Sequence, residues 1–166
     1  DDDAPVIRVR GLRTQFGGNV IHDGVDLDVC RGEVLAVVGG SGSGKSVLMR
    51  TMVGLDRPAA GTVEVFGHDI AKTGETATRA LESRWGVLFQ AGALFSSLTV
   101  SQNVMVPLKE HTRLAPELMA EIVSLKIAMV GLPPDACPKF PSELSGGMKK
   151  RAGLARALAL DPEILF

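Results

Sequence analysis

The chain of 166 residues contains no tyrosine, and its one tryptophan, Trp85, is joined by only six phenylalanines. So few rings make a poor stacking surface for bases. Basic charge is not in excess either, because 18 Lys and Arg stand against 19 Asp and Glu for a net charge of −1. Nothing is left over to displace counterions from a nucleic acid, so that partner class is set aside. Cysteine is nearly absent. Cys30 and Cys137 lie far apart with no CxxC pair and no nearby histidine, which excludes a disulfide framework and a zinc cluster and points to a reducing compartment. His22, His68 and His111 match no metal spacing and are expected at the surface. No apolar run approaches the roughly 18 residues of a membrane span. The start, Asp1-Asp2-Asp3-Ala4-Pro5, lacks the cationic and apolar regions of a signal peptide, and its acidic run reads as unstructured. These absences predict a soluble chain on the cytoplasmic side.

What is present is ordinary globular material: 45% hydrophobic, 22% charged, mean hydropathy +0.19. That length suits one domain. Glycine is the exception, with 19 residues, above the usual share of about 7%. Abundant glycine marks backbone that turns tightly or approaches a ligand.

Val6 to Phe16 alternates loosely and Val25 to Val29 strictly, with Gly17-Gly18-Asn19 as a turn between them; together with Gly61 to Gly67 they read as a small antiparallel sheet. Glu33 to Val38 is a continuous apolar run, the pattern of a parallel strand buried on both faces. Lys45 to Gly54 reads as a helix closed by glycine. Arg84 to Phe89 reads as a second core strand. From Thr99 to Gly131 the period becomes helical, with Val104, Met105, Leu108, Leu118, Ile122, Leu125 and Met129 on the apolar faces, and Met49, Met52, Met105, Met119 and Met129 expected as core filler. Pro133-Pro134 breaks this run. A last helix is expected over Gly146 to Leu160, and Glu163 to Phe166 begins another strand.

Gly39-Gly40-Ser41-Gly42-Ser43-Gly44-Lys45-Ser46 satisfies G-x-x-x-x-G-K-[ST] between an apolar run and a helix, the setting that the motif requires. Successive amides can curl around a phosphate only where side chains stay out of the way, hence the small residues. The helix that follows, with Val47 in its first turn, aims unpaired N–H groups and its dipole at the same anion. Lys45 adds a full charge for the β- and γ-phosphates, and the Ser46 hydroxyl suits Mg²⁺. A Rossmann fingerprint fails because Val47 stands where glycine is needed. A guanine-reading Asn-Lys-x-Asp is absent, which favours adenine.

Leu144-Ser145-Gly146-Gly147-Met148 can serve simply as a capped helix start. With the P-loop, Gln90 and this order of motifs, the chain resembles the ATP-binding subunit of ABC transporters, whose signature is L-S-G-G-x. The resemblance implies a P-loop NTPase fold of the RecA-like α/β class, with a mixed sheet core, an antiparallel β subdomain and a helical subdomain. It implies the division 5–90, 91–145 and 146–166 within one domain that stops short of the acidic strand. It further implies ATP and Mg²⁺ as cofactors, Lys45 and Gln90 as catalytic groups, and Ser46 and Gln90 at the metal. Phe16 and Val20 would stack on adenine, and Ser145, Gly146 and Gly147 would meet the γ-phosphate of a second subunit in a head-to-tail dimer. Segments from Phe89 to Val100 and from Pro107 to Thr112 resemble the ATPases that serve MCE proteins in phospholipid transport of the maintenance-of-lipid-asymmetry type. The implied partners are therefore a second ATPase subunit, a transmembrane permease and an MCE-type lipid-binding protein, at the cytoplasmic side of the inner membrane. The family's Mg²⁺-binding Asp and water-polarising Glu would follow Phe166, so an active ATPase is expected of a longer parent and little activity of these 166 residues alone. The competing readings are a soluble ABC-type ATPase of repair or translation and an inactive interaction module.

Overall fold

The structure, a computed structural model, describes residues 4–166, apart from the side chains of Glu75 and Ala91; the acidic run Asp1-Asp2-Asp3 lies outside the described residues. The chain divides into two units, the first ending at Thr78 and the second spanning Arg79–Phe166.

The first unit is built on an antiparallel sheet of β1 (Ile7–Phe16), β2 (Asn19–Val29), β3 (Ala60–Val65) and β4 (His68–Asp69), in the order β2-β1-β3-β4. On β1 the side chains of Ile7 and Val9 are buried, as alternation requires, and then the inward set resumes at Leu12 and Thr14. The change of phase is a bulge between Val9 and Leu12. Gly11 takes a φ of 55° there, a conformation that disfavours side chains, and its amide donates to Asp26 Oδ1 at 2.6 Å. Val63 and Val65 on β3 complete the buried face. Each such fully buried side chain contributes about 1.5–3 kcal/mol. After the sheet's first hairpin the chain runs through the glycine loop into α1 (Lys45–Met52), which buries Leu48, Thr51 and Met52.

The run from Glu33 to Val38 does not form the expected buried strand. None of its residues enters a ladder among the described residues, and Val34 and Val38 are 97% and 91% exposed. A strand apolar on both faces is stabilised by hydrogen-bonded neighbours on both edges, and the sheet of this unit supplies it with none.

A helix that periodicity did not indicate, α2 (Glu75–Glu82), leads into the second unit. There β5 (Trp85–Gly86) and β6 (Ile164–Leu165) pair in parallel. The pairing continues through Leu88 N to Phe166 O at 2.8 Å and Phe166 N to Gly86 O at 2.9 Å, and Arg84 forks onto Glu163 at 2.6 and 3.1 Å. The expected strand from Arg84 to Phe89 is thus shorter than its apolar run.

Three helices make the rest: α3 (Val100–His111), α4 (Pro116–Met129) and α5 (Gly146–Ala157). Val104 and Leu108 of α3, Val123 and Ile127 of α4, and Ala152 and Ala155 of α5 meet in one core. Thr99 caps α3 in a reciprocal capping box with Gln102. Asn103, fully buried, accepts from Phe95 N and donates to the carbonyls of Phe95, Leu98 and Thr99, which pins the preceding loop to α3. On α4 the expected face is corrected. Leu118, Leu125 and Met129 are exposed, and the buried positions are Val123, Lys126 and Ile127. Met129 is therefore not core filler. The helix is apolar nearly all round, so its pattern cannot select a face, and packing against α3 and α5 selects it instead.

Candidate functional site

In the first unit, Gly39 to Ser43 forms an exposed loop that turns through the half-buried Gly44 into α1. Gly42 and Gly44 take φ of 78° and 91°, left-handed values that glycine adopts without strain. Gly44 is the N-cap of α1 and offers no side-chain oxygen to the helix's first amides, so those donors remain available to an anion at the positive end of the dipole. The Lys45 ammonium curls back into the loop. It donates to Gly39 O and Gly40 O at 2.7 Å each and to Ser43 Oγ at 3.2 Å. Ser46 is exposed in the first turn of α1. A hard oxygen donor beside a cradle of amides and one ammonium fits a metal-bound polyphosphate.

Phe16 and Val20 flank the hairpin turn, in the registers Phe16 to Asn19 and Gln15 to Val20. Both are exposed, Phe16 at 52%. An aromatic left in water at a strand end is not a core residue, and its ring is accessible to a flat ligand. Val47 is half-buried in the first turn of α1.

His22, expected at the surface, is instead half-buried between β1 and the loop. Its Nδ1 pairs with Thr14 Oγ1 at 2.7 Å, and its ring fills the space that a Cβ on Gly44 would need, with Nε2 only 2.7 Å from that position. Gly44 is therefore required by space as well as by backbone conformation. Local spacing gives no sign of this contact, which the register of β1 with β2 creates. Cys30 is exposed, whereas Cys137 is half-buried and packs against the core of the second unit.

In the second unit Gln90 opens a single 3-10 turn, Gln90–Gly92, and is exposed. Leu144 is buried, whereas Ser145, Gly146 and Gly147 are exposed at the start of α5. Ser145 is the N-cap of that helix, its Oγ accepting from Met148 N at 3.2 Å. The structure brings Gln90–Gly92 and α5 together. A Cβ on Gly92 would lie 2.5 Å from Lys149 O, and one on Gly153 would lie 2.7 Å from Gly92 Cα. Arg156 Nη2 donates to Gly92 O at 3.0 Å, and its guanidinium sits 5.6 Å from the centre of the Phe95 ring. Gly92, Gly153 and Arg156 escaped the sequence reading, although a glycine in the interior of a helix is a signal of close approach. No group of three or more His, Cys, Asp or Glu could hold a metal among the described residues.

The sequence profile of ABC transporters matches residues 22–166. The chain belongs to the ABC transporter family. A probable ribonucleotide transport ATP-binding protein, mkl, of Mycobacterium leprae (strain TN) is 45% identical over 160 residues, covering 96% of this chain and 46% of that protein. The intermembrane phospholipid transport system ATP-binding protein MlaF of Haemophilus influenzae is 41% identical over 161 residues, covering 97% and 61%. Among solved structures, the dimeric post-hydrolysis state of the ATP-binding cassette MJ0796 bound to ADP and Pi superposes with a TM-score of 0.87 at 26% identity, covering 96% of this chain and 72% of that one. This ABC chain thus spans less than half the length of the Mycobacterium leprae relative. Its fold is the ATP-binding cassette, an α/β P-loop architecture with an antiparallel sheet and a helical portion. Among the described residues no helix is long and apolar enough to cross a membrane.

Proposed function

We propose that this ABC transporter chain is the ATP-binding part of a subunit that couples ATP binding and hydrolysis to transport through a separate membrane permease. The observation that carries the reading is the glycine loop, which runs into an uncapped helix N-terminus at Gly44 and over which the Lys45 ammonium folds back. Lys45 exchanges Gly39 O, Gly40 O and Ser43 Oγ for β- and γ-phosphate oxygens when the triphosphate enters. The amides from Gly39 to Val47 wrap the phosphates, and the rings and methyls of Phe16 and Val20 hold adenine. The family resemblance assigns Mg²⁺ to Ser46 and Gln90, where it would neutralise charge on the triphosphate, and gives Gln90 the further task of orienting the attacking water. Phosphoryl transfer depends almost entirely on such positioning and charge stabilisation.

Ser145, Gly146 and Gly147 offer a second helix N-terminus, and in a head-to-tail dimer they would meet the γ-phosphate held by the other copy. The dimeric cassette with ADP and Pi supports this arrangement. ATP then closes two copies, closure acts on the permease through the Gln90 region, and hydrolysis reopens them. The phospholipid system named for the Haemophilus influenzae relative supports a lipid as cargo and an MCE-type protein as a further partner. The ribonucleotide transport named for the Mycobacterium leprae relative supports transport in general rather than that cargo. A peripheral position on the cytoplasmic face of the inner membrane is part of the same proposal.

The test is purification of the full-length protein from solubilised membranes, with ATP turnover measured on what is recovered. Co-purification of a polytopic membrane protein, with Mg²⁺-dependent turnover lowered about 100-fold or more by Gln90→Ala, is expected. Recovery with nucleic acid and no membrane protein contradicts the reading.

A further inference from the structure

The signature helix α5 carries the Ser145-Gly146-Gly147 end that would face a second copy, and it touches the Gln90 turn farther along its length. That contact is of an uncommon kind. Gly153 meets Gly92 backbone to backbone, and a Cβ on either would penetrate main-chain atoms, at 2.7 Å for Gly153 and 2.5 Å for Gly92. No flexible side chain lies between them to absorb a displacement, so a shift of α5 is transmitted rather than damped. Arg156, three residues after Gly153 and on the same face, closes the contact by donating to Gly92 O at 3.0 Å and lying over Phe95. The loop grasped in this way is stiff. Ala93 sits at φ 42°, costly for a residue with a side chain, and Asn103 fastens both the amide and the carbonyl of Phe95. Burial lowers the Arg156 pKa from its ordinary value, so a charged group has been drawn out of water to make this joint.

We propose that Gly92, Gly153 and Arg156 form a rigid joint that locks the Gln90 turn to the signature helix, and that Arg156 is thereby a positioning residue for Gln90. The inference rests on the reading that Gln90 serves Mg²⁺ and the attacking water. α5 extends about 18 Å, with the signature at one end and the joint toward the other. Engagement of the signature end by a nucleotide is therefore carried along α5 to the Gln90 turn.

The experiment uses the full-length protein and compares wild type with Arg156→Met, Arg156→Lys and Gly153→Ala. Measured are melting temperature, ATP affinity by calorimetry, steady-state kcat and KM, and hydrogen exchange of residues 90–95. The joint predicts a fall of about tenfold or more in kcat for Arg156→Met and Gly153→Ala, with ATP affinity unchanged. Arg156→Lys keeps a cation over Phe95 and recovers part of the rate. In wild type ATP slows exchange at 90–95, and in the two damaged variants it does not. Unchanged kcat in a folded Arg156→Met or Gly153→Ala overturns the joint. So does a loss of melting temperature and ATP affinity in step with kcat across all three variants, which marks a purely structural role. Absence of ATP binding or turnover in wild type overturns the functional reading itself.

Discussion

Lys126 is 4% exposed and is paired with Asp161, whose side chain is 84% exposed. The ammonium is the member that has given up water, so the two halves of the pair are not equivalent. Asp161→Ala leaves a buried cation without its counter-ion and is expected to cost about 2 kcal/mol. Lys126→Met keeps the apolar stem in the α4 core and is expected to cost less. Chemical denaturation of both variants measures the difference, and equal losses would contradict it. At the nucleotide site, Phe16→Ala is expected to weaken ATP binding about tenfold through lost stacking, and Phe16→Trp to preserve it. Calorimetry reads both, and an unchanged affinity for Phe16→Ala would remove the ring from the site. The turn from the glycine loop into α1 was legible in the sequence because its left-handed backbone at Gly42 and Gly44 calls for glycine. His22 was not, because its neighbours Thr14 and Gly44 come from a strand pair and a loop that no local pattern connects. Gly153 was equally hidden, since its partner Gly92 lies in a different element.

Elements were legible where one periodicity had one physical meaning. The β1–β2 hairpin, α1, α3 and α5 fall where alternation, glycine and caps place them, because each has one wet face and one face that is buried or, on β2, half-buried. The run from Glu33 to Val38 failed for the opposite reason: uniform apolarity says that a segment would be buried if strands flanked it, and says nothing of whether they do. α4 failed similarly, its sequence offering more than one apolar face. The hairpin carries an electrostatic prediction as well. Arg10 donates to Asp28 across β1 and β2 at 2.7 Å and holds that carboxyl below its usual 3.8. Lys72 does the same for Asp69, and Lys139 for Asp135. A carboxylate whose folded pKa is depressed adds stability above its unfolded pKa and loses it as pH falls through the folded value. Melting temperature should hold between pH 5 and 7, on the order of the neutral range where these groups are ionised, and decline below about pH 4. Asp28 and Asp135 are exposed and Asp69 is half-buried, so the decline should be shallow and, for the two exposed groups, weakened by salt. Asp28→Asn should flatten it, and a melting temperature that rises on acidification would contradict the assignment.

At the scale of the molecule, the groups to which the proposed function gives phosphate chemistry are divided between the two units. The glycine loop, Lys45, Ser46, Phe16 and Val20 belong to the first, and Gln90 and the signature to the second. Binding and turnover should therefore respond to different substitutions. Changes in the loop are expected to abolish affinity, whereas changes at Gln90 or in its joint with α5 are expected to slow turnover at constant affinity. The claim on which both expectations stand is that the loop from Gly39 to Ser46 receives a triphosphate with Lys45 as its counter-charge. Calorimetric titration of the full-length protein with a non-hydrolysable ATP analogue and Mg²⁺ tests it most directly. Saturable binding by wild type, weakened about 100-fold or more in a Lys45→Ala variant of unchanged melting temperature, is the predicted result. Equal affinity in the two proteins would contradict it.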